Sequence, residues 1–375
     1  MKKVVFFLII FTFISVNAQS LQVTQLDKEI IHQLFDGNWP LSDSLIDTEI
    51  ANNPENPKYY FMKSYAAFYS RMFSNDALSR DETIRVVTHY AWETIKLGEN
   101  LPGNIENNFY LGAAYAFLAR ANIMNRDYWN AYWNASESED YFEDVLDEDP
   151  TIYDAYLNMG AAEYFEDFAI TGFQSFLAWL GGMSGDKETG IEYITKTATQ
   201  GNLFADEAKF ALALIYRVGE NDYTTALSYW RQLHNKYPNS EATENAFNQA
   251  VLVEKINTEG TDFLETEIDS IQTKYNVNNA FVLNTAGYSL INQGKLNDAL
   301  KVFQINIELY PTVANCYDSL AECYMNMGDN ENAVKYYRVA YNQLDADDSL
   351  NDEARQTNRE RITGQLSELG ASVGS

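Results

Sequence analysis

The stretch AFVLNTAGYSLINQGKLNDALKVFQINIELYPTVANCYDSLAECYMNMGDNENAVKYYRVAYNQLD, Ala280–Asp345, reads the same way twice. Leu283, Ala286, Gly287, Leu290, Gly294, Ala299, Phe303 and Pro311 return 34 positions later as Tyr317, Leu320, Ala321, Tyr324, Gly328, Ala333, Tyr337 and Asp345. Lys301 and Lys335, and Asn292 and Asn326, keep the same register. Apolar residues three and four apart predict amphipathic helices. Each pass therefore reads as two helices. Ala286-Gly287 and Ala321 are small residues in the first helix, where a second helix comes close. Gly294 and Gly328 turn the chain, and Ala299 and Ala333 open the second helix. Such a hairpin cannot bury its apolar face alone, so each copy must stack on a neighbour.

A helix–turn–helix unit of this length, with small residues at these positions, resembles the tetratricopeptide repeat. The resemblance implies an all-α fold, a superhelical solenoid of helical hairpins, and a scaffold that binds protein or peptide without catalysis. Working outward, hairpin ends are expected at Pro54, Pro102, Pro150, Gly201, Pro238, Asn276, Pro311 and Asp345, with gaps of 48, 48, 51, 37, 38, 35 and 34 residues. Proline cannot continue a helix and biases its predecessor away from helical angles. The gaps predict three units with helices a turn or more longer than standard, followed by four near-standard units. The long units look similar to the middle region of outer-mitochondrial-membrane members of the superfamily, and no activity follows from that. The organisation is then a leader at 1–18, long hairpins over 19–201 with an apolar insertion at 169–183, repeats over 202–345, and a capping helix with its tail at 346–375.

The leader rests on Lys2-Lys3, the apolar run Val4–Val16 and the small-residue site Val16-Asn17-Ala18. It resembles leaders of exported proteins of Gram-negative Bacteroidetes type. Cysteine is absent from the cleavage site, so a periplasmic or secreted product is expected rather than a lipoprotein. Cys316 and Cys323 are the only cysteines. Seven positions apart on one helix, they lie about 10 Å apart along the axis, too far for a disulfide, and read as core thiols.

Charge is lopsided, with 54 Asp+Glu against 26 Lys+Arg and a net charge of −28, which becomes −30 without Lys2 and Lys3. Nucleic acid and anionic lipid both need basic surface and are excluded as partners on charge. A basic or polar protein or peptide is favoured. In the groove lined by the first helices, the resemblance places Phe281, Asn284, Tyr288, Ile291 and Asn292, then Asn315, Asp318, Glu322, Met325 and Asn326. Chaperone-binding members hold a peptide carboxylate with Lys and Arg at such positions. Here Asp318 and Glu322 stand instead and repel that ligand, while Tyr288 and Met325 are expected as apolar anchors on a solvent-facing surface.

Two apolar features suggest a different reading, a small or apolar ligand held by aromatic clusters. Tyr128-Trp129 and Tyr132-Trp133 fall four apart on one helical face, where core packing between long helices is the expectation and a stacked-ring platform the alternative. Ile170, Phe173, Phe176-Leu177 and Trp179-Leu180 lie in the insertion, a short plug of the solenoid or a docking surface for a partner or a lipid surface. No metal-ligand spacing joins His32, His89, His234 or the cysteines, and no phosphate loop or nucleophile motif occurs, so no cofactor, metal or catalytic residue is expected. Asp345, Asp347, Ser349, Asn351 and Glu353 alternate like a calcium loop, but Leu350 and Gln356 occupy the positions that need Gly and Glu. Glu163, Glu166 and Asp167 are the acidic group beside the insertion.

Overall fold

The computed structural model describes residues 21–74, 78–167 and 186–374, without the side chains of 165–167. Those residues form seventeen α-helices and no strand. The helices are α1 Gln25–Phe35, α2 Trp39–Asn52, α3 Pro57–Phe73, α4 Arg80–Gly98, α5 Ile105–Met124, α6 Tyr128–Glu148, α7 Tyr156–Asp167, α8 Lys187–Gln200, α9 Ala205–Leu214, α10 Tyr223–Lys236, α11 Glu241–Glu259, α12 Asp262–Lys274, α13 Phe281–Asn292, α14 Leu296–Leu309, α15 Ala314–Asn326, α16 Asn330–Gln343 and α17 Asp352–Glu368. Every expected hairpin end falls between two of them or just past α16. The described residues form two compact units, the first of 21–31, 40–71, 78–167 and 186–205, the second of 32–39, 72–74 and 206–374.

Short polar side chains start the helices by satisfying amides that the helix itself leaves unpaired. Ser79 and Glu82 form a reciprocal capping box at α4, and Asn104, Asp127, Asp186, Asp222, Ser240, Asp329 and Asn351 cap α5, α6, α8, α10, α11, α16 and α17.

In the first unit, α3 to α6 are 17 to 21 residues long, as the gap lengths predict. The next hairpin of the same unit corrects that prediction. Its helices α7 and α8 have only 12 and 14 residues, and the surplus length of the Pro150–Gly201 gap lies at 168–185, outside the described residues. Here α7 and α8 meet backbone to backbone: a Cβ on Gly160 would stand 2.7 Å from the Gly190 carbonyl oxygen. Asp154, buried ahead of α7, accepts the amides of Asn202, Leu203 and Phe204 at 2.9, 2.9 and 2.7 Å. This carboxylate fixes the loop that carries Phe204, whose ring packs on Phe61, Tyr65 and Phe109 at centroid distances of 5.9, 5.7 and 5.5 Å.

The aromatic doublets do not fill the core. Tyr128, Trp129 and Trp133 are exposed, and Ala131 is the buried residue of that turn. On α6 the buried face runs through Ala131, Ser138, Phe142 and Val145, so the doublets fall on the other side of the helix.

In the second unit, α13 and α14 pack as the small residues predict. A Cβ on Gly287 would lie 2.4 Å from the Phe303 ring, so the phenyl takes the space a side chain would need. Gly294 and Gly328 turn the hairpins at φ +72° and +78°, angles that cost glycine little. Both cysteines are buried free thiols, and burial pushes them up to about 12 for Cys316 and about 11 for Cys323.

One hairpin departs from this spacing. From Ala213 to Ala226 is 13 positions, against 12 from Gly287 to Ala299 and from Ala321 to Ala333. The extra residue is absorbed in a π-helical turn, Ile215–Gly219, closed by the Glu220 amide on the Ile215 carbonyl at 3.0 Å. Asn221, at φ +53°, then makes the turn that Gly294 and Gly328 make in the later hairpins.

Candidate functional site

The first helices α13 and α15 bring most of the expected groove residues into two hydrogen-bonded groups in the second unit. Asn284 Nδ2 donates to Asn315 Oδ1 at 3.1 Å. One turn on, the Tyr288 hydroxyl donates to Glu322 Oε2 at 2.7 Å and reaches Ser319 Oγ at 3.3 Å. Its ring meets Phe303 edge-on at 5.4 Å. Burial, ahead of the Glu322 charge, holds the Tyr288 hydroxyl well above the ordinary tyrosine range, so it acts as a donor. Asn292 and Asn326 are exposed at the helix ends, and Asn326 donates to the Glu322 carbonyl at 2.8 Å.

Two of the expected residues are not where the sequence suggests. Asp318 does not face solvent: it is 3% exposed, and Arg361 of α17 donates to its Oδ2 at 2.5 Å. Burial raises the Asp318 carboxyl above the usual range, and Arg361 works against that rise. Met325 is not an open anchor either, since it packs against the cluster that contains Ile362 and Leu366 of α17. The polar helix expected as a cap thus lies over the last repeat's candidate positions. The open part of the face is Phe281, 60% exposed, with half-buried Asn284 and exposed Asn315. Asn284 Oδ1 is buried and has no hydrogen-bond partner. That unspent acceptor had no signal in the sequence, because it depends on Nδ2 being taken by a residue 31 positions away.

Phe173, Phe176 and Trp179 lie outside the described residues, so their cluster with Tyr128–Trp133 is not assembled among those described. Glu163 accepts the Asp186 amide at 2.9 Å, a structural bond at the start of α8. Asp347 accepts the Ala314 amide at 2.9 Å and Ser349, and Asp345 pairs with Arg359, which occupies the calcium-like carboxylates in folding contacts. Among the described residues no group of His, Cys, Asp and Glu is placed to hold a metal ion, and no helix is long and apolar enough to cross a membrane.

The model of one family, described as tetratricopeptide repeat, matches residues 207–240 and 317–343. The first match covers the hairpin with the π turn, and the second covers α15 and α16. Both stretches are tetratricopeptide repeats. No curated protein matches the chain in sequence. Among solved structures it is similar to yeast Tom70, at 15% identity over 91% of this chain and 73% of that one, with a TM-score of 0.35. It is also similar to residues 1–338 of Acl4, an assembly chaperone of RpL4, at 13% identity over 84% and 97% of the two chains, with a TM-score of 0.33. The C-terminal part of a TPR repeat-containing protein from Cytophaga hutchinsonii gives 12% identity over 88% and 98%, with a TM-score of 0.26. Identities and scores this low leave all three as likenesses only. The matched repeats suggest a protein-interaction scaffold, and the face formed by α13 and α15 is the candidate surface.

Proposed function

We propose that this tetratricopeptide-repeat protein is a non-catalytic scaffold, exported to the periplasm or beyond, that binds an extended protein or peptide segment along the first helices of its C-terminal repeats. The observation that carries this reading is the Asn284–Asn315 pair, one buried acceptor of which is unspent beside exposed Phe281. A buried acceptor without a donor costs free energy, and a peptide N–H would meet it. Phe281 would then take an apolar side chain of the same segment. The net charge of −28 favours a basic or polar partner at long range. With Asp318 already paired to Arg361, Glu322, which accepts the Tyr288 hydroxyl, is the other acid among the expected groove positions.

The test is affinity purification of the exported full-length protein, followed by binding assays on the recovered partner with Asn284→Ala plus Asn315→Ala. Loss of about tenfold or more in affinity, 1.4 kcal/mol, in a folded double variant supports the reading. Unchanged affinity overturns it. A protein retained in the cytoplasm with its first 18 residues intact would overturn the export part alone.

A further inference from the structure

The surplus residue between Ala213 and Ala226 puts Arg217 on a π turn. Turns of this kind recur at functional sites. The Arg217 guanidinium lies 5.6 Å from the centroid of the Phe281 ring. Its Nε is buried without a hydrogen-bond partner. Among the described residues no carboxylate forms an ion pair with it, and the titratable neighbour that supports its charge is Tyr223. Burial lowers its pKa, yet an arginine stays cationic.

An arginine without a counter-ion is anomalous in a chain with 54 acidic residues against 26 basic ones. Nearly every other cation that the second unit half-buries is matched, as Arg361 is by Asp318, Lys209 by Asp206 and Lys255 by Glu267. A desolvated charge is stabilised by an opposite charge and hydrogen bonds, and the planar guanidinium fork fits a carboxylate with two parallel bonds. Its chain neighbours Leu214, the last residue of α9, and Val218, in the π turn, are exposed apolar residues, as is Phe281 beside it. Such a surround suits an anion with an apolar body. It disfavours phosphate or sulfate, whose greater charge is more strongly hydrated and more strongly repelled by the chain's net charge.

We propose that Arg217, with Phe281, Leu214 and Val218 around it, forms a binding site for a carboxylate borne on an apolar or aromatic group. Arg217 pairs with the carboxylate and Phe281 takes the apolar body. The site does not depend on the peptide-scaffold reading, since a free aromatic acid satisfies it as well as a peptide terminus does.

The experiment uses the full chain with 15N-labelled arginine. Four probes are titrated: 3-phenylpropionate, its neutral amide, a short peptide ending in Phe with a free carboxylate, and that peptide amidated. Expected are a saturable shift of the Arg217 Nε–H resonance with the acids and at least about tenfold weaker binding of the amides. Arg217→Gln should remove the acid–amide difference while leaving the far-UV circular dichroism unchanged. If that variant does not fold, the acid–amide contrast on the unaltered chain decides. Equal binding of acid and amide, or no shift at millimolar acid, overturns the proposal. Preference for the free-terminus peptide over phenylpropionate supports the site with a peptide as its source, and the reverse preference supports it with a small acid. Failure of the Asn284/Asn315 test leaves this result untouched, and failure here leaves that one untouched.

Discussion

Arg361 reaches from the last helix to Asp318, 43 positions earlier, and neutralises a carboxylate that is otherwise buried with its Oδ1 unpaired. A cap of this kind does more than shield an apolar end. It favours the charged form, and fixes the position, of a residue on the face that repeats of this type use for binding.

Arg361→Ala is therefore expected to destabilise the C-terminal repeat by about 1–2 kcal/mol. The figure is set below that of a fully buried pair because the Arg361 side chain is 41% exposed. Asp318→Lys with Glu322→Lys should loosen α15 to α17 as well, since the lysine at 318 enters a site with no room for its solvation. Hydrogen exchange would show the loosening confined to the last two repeats. A double variant as protected as the parent would contradict the buried placement of Asp318.

Gly287 and Gly160 should respond differently to alanine. At Gly287 the new methyl meets the Phe303 ring, a side chain and not backbone, so a loss of about 1–3 kcal/mol is expected, partly recovered in Gly287→Ala/Phe303→Leu. At Gly160 the methyl meets the Gly190 carbonyl and the Ile194 amide, which cannot move without shifting a helix. The loss should be larger, and Ile194→Ala should not restore it. Urea titration of these variants, with Phe303→Leu and Ile194→Ala alone as the remaining singles, measures both cycles.

Acid should weaken the second unit through Asp206. Burial would raise this carboxyl, but hydrogen bonds from Lys236 and from the Tyr237 hydroxyl, the latter at 2.6 Å, outweigh it and hold it below the usual range. The unfolded chain then binds the proton more readily than the folded one. The stabilisation is complete above pH about 4 and is lost as pH falls through the depressed folded value. Asp206→Asn should flatten the fall in stability below about pH 4, the unfolded carboxylate value. At neutral pH Asp206→Ala should cost about 2–3 kcal/mol by stranding the buried Tyr237 hydroxyl.

The strict repeats were legible because their fold depends on short-range spacing: a period of 34 residues, small residues opposite large ones, and glycine at the turns. Hairpin ends followed from proline chemistry for the same reason. The candidate face was half legible. Tyr288, Asn284 and Glu322 stand together as their spacing requires. Asp318 and Met325 are covered by α17, a helix so polar that its two buried residues, Ile362 and Leu366, gave no hint of which surface it seeks. The π turn did leave a trace, the 13-position interval from Ala213 to Ala226. The exposed doublets on α6 illustrate the opposite limit, for a helix with aromatics on one side and Phe142 and Val145 on another does not declare which side is inward.

Asp154 also bears on the order in which the first unit assembles. Its three acceptor bonds join it to amides 48, 49 and 50 residues further along. Pairs such as α5 and α6 close through a turn of a few residues and can form early. The Phe204 ring can be seated only after a far longer loop has closed, and such closure is slow relative to local contacts. During synthesis the rings of Phe61, Tyr65 and Phe109 must therefore wait, incompletely covered, until residue 204 has emerged. Pulsed hydrogen exchange during refolding should find the amides of 202–204 protected later than those of α5, and simultaneous protection would show that the carboxylate is not the closing step.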